Sequence, residues 1–232
     1  MNAQIELQYR KKDFWRIEGQ KYATPHFRLE KSARIINSIA GARSCDLLDV
    51  GCGPGTLETL LTPNIRYHGI DISIAAPSDK MRELDILSQS IEFDGRRFDL
   101  VVAQGLFEYL GDHQEQKFRE IAEVLAKGGT FLTSYVNFEH RRPLIYEVYN
   151  NVQSHHHFRR SLSGYFTIER VFPTSHNWGH TEPRRRMVKG ANMNLDLNVP
   201  YLSRKLGVEY FFICRPLEAE DVSSAAHHRS TT

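Results

Sequence analysis

The sequence predicts an α/β protein built on a mostly parallel sheet, and three observations carry that prediction. Short apolar runs recur after residue 45, each separated from the next by a polar or amphipathic stretch. One of them, Leu47-Leu48-Asp49-Val50, passes straight into a glycine-rich turn. Another, His68-Gly69-Ile70-Asp71, ends on a carboxylate 20 residues beyond Gly51. Parallel strands cannot be joined by hairpins, so the stretches between them must cross over the sheet, and amphipathic segments are what such crossovers need.

Residues 1–44 read as a helical cap, with Phe14, Trp15 and Ile17 on an early segment and Phe27, Leu29, Ala33, Ile36 and Ile39 on a later one. Pro25 breaks the two apart and Gly41 ends the second. Strands are expected at Asp46–Val50, Arg66–Ile70, Met81–Leu84, Phe98–Ala103, Thr130–Val136, Tyr165–Phe172 and Val208–Cys214. Before the fifth strand, Phe118, Ile121, Ala122 and Leu125 share one helical face. Asp112 and Glu115 have capping-box spacing there, and Gly128 is the expected stop. A further helix is expected over Pro143–Val152. Residues 173–207 read as an insertion, helical only over Pro200–Leu206, and 216–232 as a polar, disordered tail. The core domain is therefore 45–215.

The most informative stretch is Asp49-Val50-Gly51-Cys52-Gly53-Pro54-Gly55-Thr56-Leu57, with a helix expected through Leu57, Leu60 and Leu61. Glycines permit a tight turn and let a ligand approach the backbone with no Cβ in the way. Free N–H groups at the start of the following helix favour anions or carboxylates. A dinucleotide-binding loop would carry its third glycine at position 56, where this chain has threonine. A carboxylate beside the loop suits a ligand with an ammonium and a sulfonium and would repel a pyrophosphate.

This Asp-x-Gly-x-Gly-x-Gly loop resembles the first motif of the class I S-adenosylmethionine-dependent methyltransferases. The resemblance implies that Asp49, Gly51, Cys52, Gly53 and Gly55 hold the amino-acid end of S-adenosyl-L-methionine, with S-adenosyl-L-homocysteine as product. Asp71, followed by Ile72, resembles the family's ribose-binding acidic position. Asp85 and Ile86 resemble the adenine-contacting position. Only 13 residues lie between Asp71 and Asp85, and Pro77 is among them, so the usual helix between those strands must be shortened or lost. Phe98 to Gly105 resembles the fourth strand, with Gln104 and Gly105 emerging at its ligand-binding edge. Leu106-Phe107-Glu108-Tyr109-Leu110 resembles the segment between cofactor and substrate pockets. The resemblance covers residues 45–136 and implies a Rossmann-like seven-stranded sheet of order 3-2-1-4-5-7-6, its last strand antiparallel, with helices on both faces.

Methyl transfer from a sulfonium needs alignment more than covalent chemistry, although a hydroxyl or carbon acceptor requires a base. Glu108, after the fourth strand, and His140, after the fifth, are the catalytic candidates, and His140 is the better base. No metal is expected. His155, His156 and His157 are consecutive, and on a helix such side chains point about 100° apart and cannot converge on one ion. Tyr9, Trp15 and Tyr22 are candidates for a lid over the cofactor.

Net charge is only +2 but unevenly spread. Residues 139–215 carry 12 Lys and Arg against 6 Asp and Glu. A small acidic metabolite is therefore the expected acceptor, recognised by Arg141, Arg142, Arg184, Arg185 and Arg186. Nucleic acid is disfavoured, because no basic-aromatic binding module is present. RNA or protein methylation, and a non-catalytic cofactor-binding subunit, are the alternatives. The three cysteines lack metal or disulfide spacing, Met1–Lys12 is polar, and no apolar run approaches a membrane span of about 20 residues. A cytoplasmic protein is expected.

Overall fold

Alternation of side chains along the strands decides how this chain is layered. A computed structural model describes residues 23–25, 27–138, 153–173, 176–177, 194–195 and 209–217. Strands β1 (Cys45–Val50), β2 (Ile65–Asp71), β3 (Met81–Glu83), β4 (Phe98–Ala103) and β5 (Leu125–Val136) run parallel. β6 (Phe166–Pro173) and β7 (Glu209–Pro216) follow, and β7 lies antiparallel between β5 and β6. The order is β3-β2-β1-β4-β5-β7-β6, as expected. His176–Asn177 and Asn194–Leu195 form a separate two-residue antiparallel pair inside the expected insertion.

Neighbouring strand residues point to opposite faces, so each strand supplies two cores. Leu47, Tyr67, Leu100, Val102, Leu132, Phe211 and Ile213 pack beneath α1 (Phe27–Ala40), which buries Ala33, Ile36 and Ala40 on one stripe. α1 ends where Gly41, at φ 57°, donates to the Asn37 carbonyl at 2.9 Å, a left-handed cap that glycine adopts at little cost. On the opposite face, Leu48, Val50, Val101, Ala103, Phe131, Tyr135 and Phe212 pack beneath α2 (Gln114–Val124) and α3 (His155–Leu162). Aromatic side chains dominate this second core. Tyr135 stacks on Phe158 at 4.2 Å, and Phe107 packs on Phe118 at 4.6 Å.

The structure corrects the expected elements in several places. The glycine loop leads into one short 3-10 segment, Thr56–Leu60, and not a full helix. Leu61 is already extended, and the residue before Pro63 is sterically barred from helical backbone. The Asp112–Glu115 capping box does not form either. A 3-10 turn over Gly111–His113 leads into α2, whose start has no side-chain cap. α2 stops at Val124, before Gly128, because Leu125 has turned extended to pair with Phe98. The register then shifts so that Thr130 pairs with Leu100, leaving Ala126–Gly129 as a bulge. As expected, no helix lies between β2 and β3. The expected helices over Pro143–Val152 and Pro200–Leu206 and the early cap segment lie outside the described residues.

Candidate active site

Where β1 ends, the chain must turn sharply without blocking the sheet edge. The amides of Gly51 and Cys52 both donate to the Ile70 carbonyl, at 2.8 and 3.1 Å, which fastens the turn to the end of β2. Gly51, Gly53 and Gly55 adopt φ values of 77°, 54° and 75°, a region that side chains disfavour. A Cβ on Gly51 would also sit 3.2 Å from Leu106. Asp71 closes the assembly: one carboxylate oxygen accepts from the Gly53 amide at 2.9 Å and the other from the Ser73 amide at 3.0 Å. A carboxylate offers about four acceptor positions, so capacity for a diol remains. Burial pushes the Asp71 carboxyl above its usual pKa, and these N–H groups oppose the shift.

Beside this turn opens a cleft of about 650 Å³, counted with its mouth, at the carboxyl ends of β1, β2 and β4. That is the topological switch point of the sheet, where ligands of open α/β folds bind. Gly51, Asp71, Ile72, Asp85, Ile86, Gln104 and Gly105 all line it, together with Leu106, Tyr109 and Leu110. The two oxygens of Asp85 accept from the Leu87 amide and the Ser88 hydroxyl, each at 3.0 Å, which holds the carboxylate in its own turn. Gln104 accepts through its side-chain oxygen from Ser32 of α1 at 2.6 Å, and its amide nitrogen remains a donor. The Gly105 amide donates to Ser134 of β5 at 2.9 Å.

Asp49 is buried and accepts a hydrogen bond from the Tyr67 hydroxyl at 2.9 Å. Burial raises its pKa to about 7, the Tyr67 bond lowers it, and the nearby Asp71 carboxylate raises it further. Cys52 lies in the same dry environment. Its thiol is pushed far above its ordinary value, mainly by burial.

The far side of the cleft is built differently. Glu108 lies in a 3-10 turn over Phe107–Tyr109 and is fully buried. One of its oxygens accepts from the Val136 amide at 2.8 Å, and the other has no hydrogen-bond partner. Burial, aided by Glu209, raises its pKa to about 7, against smaller lowering effects that include Arg28. Arg28 of α1 donates to both oxygens of Glu209, at 3.2 and 3.4 Å. The same guanidinium covers Gly105, whose missing Cβ would lie 3.0 Å from its Nη1.

His140, Arg141, Arg142, the arginines at 184–186 and the lid candidates Tyr9, Trp15 and Tyr22 lie outside the described residues. Among the described residues, no three His, Cys, Asp or Glu side chains converge on a metal position. His155 is buried against Tyr210 at 4.5 Å, whereas His156 and His157 are exposed. Among the described residues, no helix is long and apolar enough to cross a membrane.

Sequence reasoning missed Tyr67, Arg28 and Ser32. Tyr67 left a trace, since it falls on the same side of β2 as Gly69, which pairs with Asp49. Arg28 and Ser32 left none, because their roles arise from the docking of α1 on strands far away in sequence.

The geometry agrees with comparisons to known proteins. A family described as "methyltransferase domain" matches residues 24–167. No curated protein matches the chain. Solved structures share the fold. A chain from the complex of the Haloferax volcanii Trm112 methyltransferase activator aligns with TM-score 0.63 and 17% identity, covering 89% of this chain and 96% of that one. The N-methyltransferase NodS from Bradyrhizobium japonicum, solved with S-adenosyl-L-homocysteine, aligns at 0.53 and 16%, covering 93% and 98%. An S-adenosylmethionine-dependent methyltransferase from Clostridium acetobutylicum aligns at 0.56 and 13%, covering 83% and 92%.

Proposed function

The chain belongs to the methyltransferase-domain family and is an S-adenosylmethionine-dependent methyltransferase, and from that premise we propose which residues serve donor and acceptor. The donor occupies the cleft along β1, β2 and β4. The acceptor is a small acidic metabolite, methylated on oxygen or nitrogen in a cytoplasmic biosynthetic step, and it enters beyond β4 and β5. The observation that carries this reading is the Gly51–Gly55 turn, pinned at once by the Ile70 carbonyl and by one oxygen of Asp71, whose other oxygen accepts from the Ser73 amide.

The residues fit the donor's chemistry. Gly51 lines the cleft with no side chain of its own, so a ligand can lie flush against backbone there. Asp71 offers acceptor capacity to a ribose diol, while Asp85 and the apolar Ile72 and Ile86 flank the place for an adenine ring. Gln104, its oxygen tied to Ser32, presents donors to the amino-acid end. Gly53, Gly55 and Cys52 keep the turn in shape, and Asp49 supplies negative potential beneath it. When bound, S-adenosylmethionine supplies a methyl group already activated on a sulfonium. The protein's task is then to align the acceptor and exclude water.

His140 is the general base for a hydroxyl acceptor. Glu108 is a positioning residue: enclosed and bonded to Val136, it joins the exit of β4 to the end of β5, the two edges between which an acceptor must lie. The basic surplus of residues 139–215 supports an acidic acceptor. The cap over 1–44, the domain over 45–215 with its insertion at 173–207, and the tail at 216–232 are the working division of the chain.

Calorimetry with S-adenosyl-L-homocysteine, followed by a methyl-transfer screen over small acids, tests the reading. Binding with turnover on at least one acid supports it. Failure to bind removes the donor assignment, and turnover confined to RNA or protein removes the acceptor assignment. His140→Ala should lower kcat about 100-fold with unchanged S-adenosylhomocysteine affinity; full turnover by this variant would eliminate the base.

A further inference from the structure

A second opening lies away from the donor cleft, on the α1 face of the sheet, between that helix and the edge strand β6. Counted with its broad mouth it encloses about 1080 Å³. Its floor is apolar, made by Ile35 and Ile39 of α1, Val171 and Phe172 of β6, and Ile213 of β7. Among the described residues Val171 is the only large hydrophobic that is exposed, at 38%. The rim is cationic: Lys31, Arg34 and Arg170 line the groove, and no acid does. Lys31 is engaged, donating to the Pro173 carbonyl at 2.9 Å with its ammonium 5.6 Å from the centre of the Phe172 ring. Arg34 and Arg170 are exposed and, among the described residues, form no ion pair.

An apolar floor beneath two unpaired guanidiniums fits an occupant that is both apolar and acidic. A second copy seated by the same groove would bring the same cations against these, because a two-fold contact sets like surface on like. The chain itself supplies a better occupant. Leu217 donates its amide to the Tyr165 carbonyl at 3.2 Å, so β7 runs out beside the strand that walls the groove. The alternation that sets Phe211 and Ile213 on the α1 face gives Leu217 that face too. Glu218-Ala219-Glu220-Asp221-Val222 follows. Ile213 pairs with Arg170 and lies four residues before Leu217, about 14 Å along the strand, which five extended residues turning back can cover.

Charge sets this stretch apart from the others outside the described residues. Residues 1–22 carry 5 Lys and Arg against 3 Asp and Glu, residues 139–152 carry 2 against 2, and residues 174–208 carry 6 against 2. Residues 218–232 carry 1 against 3. We propose that residues 218–222 turn back along the groove between α1 and β6, their carboxylates pairing with Arg34 and Arg170 and Val222 covering Val171. The segment then ties α1 to the edge of the sheet. This inference is independent of the donor and acceptor assignments.

Hydrogen–deuterium exchange on the full chain tests it, with a synthetic peptide of residues 217–232 as the reference. Exposed ion pairs are individually weak, so amides of 218–222 should exchange only about tenfold more slowly in the protein than in the peptide. The protection should vanish in high salt and in the double variant Arg34→Glu with Arg170→Glu. Adding Glu218→Arg, Glu220→Arg and Asp221→Arg to that double variant should restore it. Peptide-like exchange in the wild type would leave the groove to another partner and overturn the proposal. Protection that ignores both arginines would place the segment elsewhere, and protection that grows with protein concentration as light scattering reports dimers would assign it to a second copy. Either result also overturns it. Should the double variant fail to fold, Glu218→Gln with Glu220→Gln and Asp221→Asn removes the same pairing from the other side of the contact.

Discussion

The two halves of the sheet handle buried carboxylates in opposite ways. On the donor side, Asp71 gives both oxygens to backbone amides of the loops it organises and still faces the cleft. On the acceptor side, Glu108 is enclosed, has one oxygen without a partner, and lies near a second carboxylate, Glu209. In the first arrangement backbone amides hold a carboxylate that faces the cleft. The second is a strained packing device, stabilised by the aromatic core around Phe107, Phe118, Phe158 and Tyr135. Ligand contact on the donor side therefore depends little on aromatic packing, whereas the acceptor side stands or falls with it.

The largest expected effects separate the halves. Phe158→Ala removes a fully buried ring that stacks on Tyr135 and packs on Phe107 and Phe118, and should cost about 3–5 kcal/mol in denaturant unfolding. The folded fraction should keep its S-adenosylhomocysteine affinity. Asp71→Ala should do the reverse, weakening that affinity about 100-fold with a much smaller loss of stability. If Phe158→Ala also abolished ligand binding, the two halves would be one cooperative unit and the contrast would be wrong.

Next in size is a dependence on pH. A carboxyl whose folded pKa is raised, as for Glu108 at about 7 against an ordinary value of 4.5, binds more protons folded than unfolded. Its presence costs nothing below the unfolded value. The cost grows as pH rises between the two values and is complete above about 7, on the order of 3 kcal/mol. Glu108→Gln keeps an acceptor for the Val136 amide and removes the charge. Thermal melts should then show the variant equal to the wild type near pH 4.5 and more stable at pH 8. Parallel profiles for the two proteins would mean that Glu108 is not enclosed.

The smallest effect concerns Asp49, also raised to about 7. A ligand bringing an ammonium nearby favours the charged carboxylate, so S-adenosylhomocysteine binding at pH 6.5 should release a fraction of a proton. Calorimetry in two buffers of different ionisation enthalpy measures this. Asp49→Asn should abolish the release and Glu108→Gln should preserve it. Release that survived in Asp49→Asn would place the titrating group elsewhere.

The donor half was legible in the sequence because its chemistry is local. A strand, three glycines at alternate positions and a carboxylate 20 residues on are separated by short stretches, and their pairing follows from the parallel register of β1 with β2. Even there, local cues overreached. The leucines after Gly55 read as a helix, but the bar that Pro63 places on its predecessor confined them to one 3-10 segment. Gly128 read as a helix stop, yet pairing of Leu125 with Phe98 ended α2 four residues earlier.

From the chain alone came the fold class, the strand order implied by its motif, and the glycine turn proposed to hold the donor, because hydrophobic period and backbone permissiveness are properties of adjacent residues. Tertiary structure alone decided that Tyr67 meets Asp49, that Glu108 is sealed beneath β5, and that Arg28 reaches Gly105 and Glu209, the last across 181 positions of sequence. Burial and charge pairing depend on which surfaces are pressed together, and no spacing along the chain encodes a contact made by the docking of one face on another.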